Sequence, residues 1–136
     1  MGIQLPVGVG TILLCDYNRG GFQPPEMVKK RPAIVISPRL PHRDRLCTVV
    51  PISGEPNEHE ADYVVRLEFK PSLPYPFSYE IGWAKCDMLA TVGFGRLDLF
   101  HTERDQYGKR KYLHPKLPDV DFERVKKGIL CALGFA

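Results

Sequence analysis

Two residues near the middle of this 136-residue chain could act together on a phosphate group. Lys85 and Asp87 flank Cys86, so on a β-strand both side chains would point to the same face. A cation and a carboxylate placed in this way could clamp a phosphate and accept a proton. An exposed pair of this kind could equally be a surface ion pair without a chemical role.

Arg31 and Ser53 complete the set of candidate catalytic residues. Arg31 opens the apolar run 33–36 after a long segment rich in proline and glycine, and Ser53 follows the strand predicted over 46–50. RNA carries its own nucleophile, the 2′-hydroxyl. A nuclease that uses it needs a base, donors for the phosphorane oxygens and an acid for the leaving 5′-oxygen. Arg31, Ser53, Lys85 and Asp87 could supply these groups without a metal ion.

Basic residues form two clusters along the chain, although the net charge is only +3. The first cluster occupies residues 29–45 and contains a single acid, Asp44, and the second occupies residues 109–111. Solvated loops are the ordinary explanation of one such cluster, whereas two clusters in a β-rich chain favour a nucleic-acid partner. The candidate RNA-binding residues are Lys29, Lys30, Arg39, Arg43, Arg45, Lys109, Arg110 and Lys111.

Composition narrows the class of protein. No apolar stretch approaches the roughly 18 residues that span a bilayer, and the N-terminus lacks the features of a secretion signal, so we expect a cytoplasmic protein. The four cysteines and four histidines are widely scattered. Buried free thiols are therefore expected, rather than a disulfide framework or a metal site, and no cofactor is implied.

The pattern of apolar residues predicts a mostly-β domain with helices (α+β), in which several short strands pack on one C-terminal helix. Apolar residues at helical spacing from Phe122 to Leu133 predict the helix, with Asp119 or Asp121 capping its start and Gly134 closing it. Pro51 is expected to end or bend the third strand. The predicted strands cover residues 11–15, 33–36, 46–50, 63–67, one or two segments within 81–92, and a hairpin of 97–102 with 111–113 around Gly108.

Four segments of the chain resemble the MazF/PemK/Kid toxins of bacterial toxin–antitoxin systems. The segment GTILLCD at 10–16 is similar to the opening strand of that family, and KRPAIVIS at 30–37 is similar to its Arg-Pro-led second strand. The segment VVPIS at 49–53 is similar to the strand that ends in Thr or Ser. The segment AKCDMLATV at 84–92, followed by Arg96-Leu97, is similar to the later segment in which the Kid branch has Arg-Cys-Asp.

This resemblance implies a small SH3-like barrel with a C-terminal helix, formed by residues 1–136 as one domain. It also implies a homodimer, metal-independent and sequence-selective cleavage of single-stranded RNA, and an antitoxin partner that blocks the site. Carried over by position, Arg31 would stabilise the phosphate and could also donate a proton, and Ser53 would hydrogen-bond the phosphate in the role of the family's Thr. Asp87 would be the general base, and Lys85 would replace the family's Arg.

Two alternatives from other functional classes remain open at the level of sequence. The CcdB branch uses a similar barrel to trap DNA gyrase and has no nuclease site. A non-catalytic RNA-binding module of the same fold would also explain the basic clusters. The basic clusters and the pair of Lys85 and Asp87 favour RNA as the target.

Overall fold

The computed structural model describes residues 2–18 and 21–136, and this part of the chain forms nine strands followed by one helix. Two 3-10 turns, Cys86–Met88 and Phe94–Arg96, interrupt the second half of the sheet. The elements are β1 (Ile12–Asp16), β2 (Lys30–Val35), β3 (Leu46–Ser53), β4 (Val64–Glu68), β5 (Ile81–Lys85), β6 (Ala90–Gly93), β7 (Leu97–Asp98), β8 (Phe100–His101), β9 (Tyr112–Leu113) and α1 (Asp119–Ala132).

The main sheet is antiparallel, with strand order β4-β5-β3-β2-β1-β7 and with β6 paired to the first half of β3. Strands β8 and β9 form a separate two-stranded sheet. The predicted α+β class, mostly β with a C-terminal helix, is confirmed. The ladder of described strands is open, since β4 and β7 stand at its two ends without pairing to each other.

The central strands are buried on both faces of the sheet. On β1, Ile12 and Leu14 join one core cluster while Leu13 and Cys15 join the other. Helix α1 covers the first face through Val125 and Ile129, and β6 with the 3-10 residue Phe94 covers the second. A segment without a solvent face needs apolar residues at every position, which explains why the buried stretches 12–15 of β1, 32–35 of β2 and 49–52 of β3 are continuous apolar runs in the sequence.

Strand β3 changes partners along its length instead of ending at Pro51. Residues Val49–Pro51 lie in register with β2, and Ile52 and Ser53 pair with Ala84 and Trp83 of β5. Of the two effects predicted for Pro51, ending or bending the strand, the first is therefore wrong. Proline has no backbone N–H to donate, and Pro51 lies where the pairing of β3 changes from β2 to β5.

The predicted hairpin is confirmed, with Gly108 at a φ of 76° in its turn region. Its first arm is split, because β7 pairs with β1 while β8 pairs with β9. The predicted side-chain cap of α1 is wrong: Pro118 occupies the N-cap position and makes no side-chain bond, and Asp119 and Asp121 lie in the first turn. Their carboxylates still oppose the positive end of the helix dipole.

Gly134 closes α1, as predicted. Its φ of 79° allows its N–H to bond the carbonyl of Cys131 at 3.1 Å, while the Phe135 N–H bonds the carbonyl of Leu130 at 2.8 Å. This pair of bonds is a Schellman motif, which satisfies carbonyls that have no partner within the helix. Within the described residues, no helix is both long and apolar enough to cross a membrane.

Candidate functional site

Arg31 and Ser53 lie at the same end of the hairpin formed by β2 and β3. The last paired residues on that side are Ala33 and Pro51, and Arg31 and Ser53 each lie two residues beyond this pair on their own strand. The Nε of Arg31 donates a hydrogen bond to the carbonyl of Val28 at 3.2 Å. Within residues 2–18 and 21–136 its guanidinium forms no ion pair, so its charge is available for an anion.

Ser53 is 9% exposed, at the end of β3. Its Oγ accepts a hydrogen bond from the backbone N–H of Glu55 at 3.1 Å. A hydroxyl that accepts from the backbone keeps its own proton for donation. Ser53 can therefore donate one hydrogen bond to a phosphate oxygen. Among the described residues its Oγ is bonded to a backbone N–H, and not to a base that could turn it into a nucleophile.

Lys85 ends β5 and is covered, although its strand position faces away from the core. The residue is only 8% exposed, and its Nζ donates a hydrogen bond to Oδ1 of Asn57 in the loop that connects β3 and β4. Burial lowers the pKa of Lys85 below its ordinary value, the charges of Asp87 and Glu55 act against this shift, and the positive charge of Arg31 adds to it. Arg31, Glu55 and Asp87 are therefore each close enough to the Lys85 ammonium to act on its charge.

Asp87 is exposed and lies in the 3-10 turn that follows Lys85. The expectation that Lys85 and Asp87 share one face of a single strand is wrong, because β5 ends at Lys85 and the chain curls at Cys86. The two residues nevertheless interact, since the Asp87 carboxylate raises the pKa of Lys85. The turn, rather than strand alternation, brings the carboxylate to the cation.

Helix α1 holds the 3-10 turn in place from behind. Cys86 is fully buried and its Sγ lies 3.6 Å from the carbonyl oxygen of Val125. Burial raises the pKa of this thiol to about 12, so it is neutral at physiological pH and acts as a packing group. Gly128 allows the close approach, since a Cβ at that position would lie 2.8 Å from the Cys86 sulfur.

The long first loop is anchored beside the same end of the sheet. Phe22 packs edge-on against the buried ring of Tyr17, with ring centroids 5.3 Å apart, and the Arg96 guanidinium lies 4.9 Å from the centre of the Phe22 ring. Arg96 also donates to the carbonyl of Asp16 at 3.0 Å. Loop residues 19 and 20 lie outside the described part of the chain.

The first basic cluster is divided between opposite ends of the β2–β3 hairpin. Lys29 and Lys30 are exposed beside Arg31, at the end that carries Ser53. The exposed residues Arg39, Arg43 and Arg45 lie in the connection at the other end, about 23 Å away along β3 at the usual rise per residue. The first basic cluster of the sequence therefore forms two separate basic surfaces in the structure, one at each end of the hairpin.

The second basic cluster lies on the arm and turn of the β8–β9 hairpin. Lys109 and Lys111 are exposed. Arg110 is half-buried, with its Nη1 3.2 Å from Nε2 of His101, and its Nε is buried without a hydrogen-bond partner. This cluster therefore offers two accessible ammonium groups, those of Lys109 and Lys111, and one guanidinium that already contacts His101.

Three residues near the candidate site were not predicted from the sequence. Glu55 and Asn57 belong to a polar loop whose composition gives no sign of a contact with Lys85, and Asn57 becomes important only through that contact. Trp83 lies directly opposite Ser53 in the β3–β5 ladder. Its position two residues before Lys85 could have indicated that both side chains share a face.

A cavity of about 790 Å³ lies between the proline-rich segment 69–74 and residues 113–118, away from Arg31 and Asp87. A groove of about 680 Å³ adjoins Asn57 and Trp83. In the described part of the chain no group of three or more His, Cys, Asp or Glu side chains could hold a metal ion. The four cysteines are free thiols; Cys15, Cys47 and Cys86 are buried, as predicted, whereas Cys131 is half-buried.

A family model described as "PemK-like, MazF-like toxin of type II toxin-antitoxin system" matches residues 9–130 of the chain. An uncharacterized protein of Haemophilus influenzae is 30% identical over 135 residues, which cover 92% of this chain and 88% of the relative. The uncharacterized Escherichia coli protein YifN is 27% identical over 147 residues, covering 96% and 93% of the two chains.

Solved structures of similar fold include the Mycobacterium tuberculosis toxin MazF-mt6, with a TM-score of 0.59 and 15% identity over 93% of this chain and 98% of that chain. MazF from Deinococcus radiodurans also has a TM-score of 0.59, with 14% identity over 96% and 99% of the two chains. The MazE-MazF complex from the same organism gives a TM-score of 0.52 and 16% identity, covering 98% of this chain and 100% of that chain.

Proposed function

Because the chain belongs to the PemK-like, MazF-like toxin family of type II toxin–antitoxin systems, we propose that it is a toxin-like endoribonuclease that cleaves single-stranded RNA at selected sequences. The observation that carries the proposal is the convergence of Arg31, Ser53, Lys85 and Asp87 at one end of the sheet, although they come from three separate stretches of the chain. Mutually interacting cations and a carboxylate at an accessible strand end suit a phosphodiester better than an apolar ligand.

The proposed reaction is a transesterification in which the RNA supplies its own nucleophile. Asp87 accepts the proton of the 2′-hydroxyl, the 2′-oxygen bonds to phosphorus, and the bond from phosphorus to the 5′-oxygen breaks. The products are a 2′,3′-cyclic phosphate and a 5′-hydroxyl. Arg31 stabilises the charge that develops on the phosphorane oxygens, and Ser53 donates one further hydrogen bond to them.

Lys85 is the better candidate for the acid that protonates the leaving 5′-oxygen. A guanidinium does not release its proton near neutral pH, whereas burial lowers the pKa of Lys85 toward the range of general-acid catalysis. The ammonium has three N–H donors, and Asn57 uses one of them. Lys85 can therefore stay fixed by Asn57 and still donate to the substrate.

The proposed partners are single-stranded RNA, an antitoxin protein and a second copy of the chain, with residues 1–136 acting as one cytoplasmic domain. The two basic surfaces support contacts with RNA. At the end of α1, the exposed fractions of Leu130, Leu133 and Phe135 are 44%, 51% and 77%. Apolar side chains left uncovered in this way support a protein interface, for which a homodimer is the simplest arrangement.

The proposed activity is tested by incubating the purified protein with a long, fluorescently labelled single-stranded RNA in EDTA. We expect cleavage at a limited set of sites, with 2′,3′-cyclic phosphate and 5′-hydroxyl ends identified by mass spectrometry. A requirement for added magnesium or a 5′-phosphate product would overturn the mechanism. Binding without cleavage would identify a non-catalytic RNA-binding module instead.

A further inference from the structure

Three neighbouring strands place Ser53, Trp83 and Arg66 in one row on the outer face of the sheet. Ser53 pairs with Trp83 across β3 and β5, and Trp83 pairs with Arg66 across β5 and β4. The residues that alternate with them, Ala84 and Val65, belong to the core. Since strand side chains alternate between faces, Trp83 lies between the candidate catalytic serine and an exposed arginine.

Cross-strand neighbours of this kind have Cβ atoms about 5 Å apart. The side chain of Trp83 therefore begins within one strand spacing of Ser53, the residue proposed to donate a hydrogen bond to the phosphate. Trp83 is half-buried, and its ring borders the groove of about 680 Å³ that Asn57 and His59 also line. Asn57 also accepts the hydrogen bond of Lys85, so one residue of the groove contacts the candidate active site directly.

The groove combines the aromatic side chain of Trp83 with exposed basic side chains. Its cations are Arg66, Arg124 and Lys127, and its acids are Glu60 and Asp62. Arg66 bonds Glu68 at 2.8 Å and Arg124 bonds Asp121 at 3.2 Å, with both arginine side chains about half exposed. Exposed ion pairs of this type contribute little to stability, so either guanidinium can turn toward a phosphate.

We propose that Trp83 is a base-stacking subsite for a nucleotide next to the cleaved phosphate, and that Arg66, Arg124 and Lys127 guide the adjoining RNA backbone along the groove. This inference rests on the proposed endoribonuclease function. Single-stranded RNA presents unstacked bases that bind aromatic side chains, while cations follow its phosphates. The groove thus has both groups that a single strand requires, and it is linked to the proposed catalytic groups by Trp83 opposite Ser53 and by Asn57 bonded to Lys85.

The protein contains a single tryptophan, so its intrinsic fluorescence reports on this subsite alone. The probe is a single-stranded RNA with 2′-O-methyl groups throughout, which cannot undergo 2′-oxygen attack. Its binding is measured independently by the anisotropy of a terminal dye. We expect Trp83 emission to be quenched in parallel with the anisotropy change. Inorganic polyphosphate, which has charge but no bases, should bind without comparable quenching.

Substitutions separate stacking from folding. Trp83→Ala should weaken binding of the methylated RNA by roughly 5- to 150-fold, the size of one lost base–aromatic stack. Trp83→Phe should recover most of this loss because it restores an aromatic face. The matched control is Tyr75→Ala, which removes a 74% exposed ring from the proline-rich connection and should leave RNA affinity unchanged. Circular dichroism checks that all three variants fold.

The result that would overturn the subsite is wild-type protein that binds and cleaves RNA without Trp83 quenching, with Trp83→Ala binding as tightly. In that case the proposed endoribonuclease function would stand while the subsite would be wrong. If the wild-type protein neither binds nor cuts RNA, the proposed function itself fails and the subsite with it. Quenching by a protein partner in the absence of any RNA effect would assign the groove to protein binding and would also overturn the inference.

Discussion

Asn57 Oδ1 accepts a hydrogen bond from Nζ of Lys85, a residue 28 positions later in the sequence and 8% exposed. A covered ammonium without an acceptor would carry a large desolvation cost. The bond also fixes the ammonium beside Asp87, whose charge interacts with it. Lys85 belongs to β5, but the loop between β3 and β4 fixes the position of its ammonium group through Asn57.

Replacing Asn57 by alanine should lower the cleavage rate by about 10- to 100-fold, the scale of one lost hydrogen bond to a charged group. Because Asn57 stabilises the protonated form of Lys85, its removal should lower the pKa of Lys85 further. The alkaline limb of the pH–rate profile should then move to lower pH. In a Lys85→Met background the same substitution should have little additional effect, and full additivity of the two losses would exclude a role through Lys85.

Replacing Arg31 by alanine should lower single-turnover cleavage by at least about a hundredfold, the effect of removing a transition-state donor. Arg31→Lys is the matched variant, because it keeps the charge but loses the planar fork of donors. It should recover part of the rate. Circular dichroism is the folding control, and a wild-type rate in Arg31→Ala would remove Arg31 from the site.

Replacing Asp87 by asparagine should lower the cleavage rate by roughly a hundred- to ten-thousandfold, the range of general-base catalysis. The side chain is exposed and nearly isosteric with asparagine, so the fold should persist. Ser53→Ala should cost roughly tenfold or less, since it removes one neutral hydrogen bond. If Asp87→Asn cuts normally, the base must be sought elsewhere, first at His42 and at His59, which lines the groove beside Trp83.

The division of the first basic cluster predicts two separable RNA contacts. Lys29→Ala with Lys30→Ala should weaken binding of both long RNA and an oligonucleotide of about four nucleotides that covers the catalytic end. Arg39→Ala with Arg43→Ala should weaken binding of long RNA only. Each lost phosphate contact should reduce the slope of log affinity against log salt by about 0.7. Equal effects of the two pairs on the short oligonucleotide would contradict the division.

Gly128→Ala should destabilise the protein by about 1 to 3 kcal/mol, the cost of overpacking a core, offset by up to about 1 kcal/mol of helix propensity. The added Cβ would lie 2.8 Å from the Cys86 sulfur and 3.1 Å from Cγ2 of Val65. Urea unfolding followed by circular dichroism measures the change. Cys86→Ala removes the closer contact and should restore much of the loss in the double variant. A neutral Gly128→Ala would mean that α1 can shift away from the turn that carries Asp87.

The sequence by itself determined those features whose causes are local. Continuous apolar runs identified β1, β2 and β3 because strands buried on both faces need apolar residues at every position. Gly108 and Gly134 marked a hairpin turn and a helix end, since both positions require a positive φ that glycine adopts without strain. The short segments around Arg31, Ser53 and Asp87 also sufficed to indicate the family that the comparisons confirm.

Tertiary structure decided which charged groups meet. Antiparallel pairing of β2 and β3 separated Arg39 from Arg31, although both belong to one basic stretch of sequence. The early end of β5 placed Asp87 in a 3-10 turn, where packing of Cys86 against α1 outweighs the alternation expected of a strand. Burial of Lys85 depends on Asn57 from a distant loop. These contacts are long-range, and residue spacing along the chain carries no information about a partner supplied by another element.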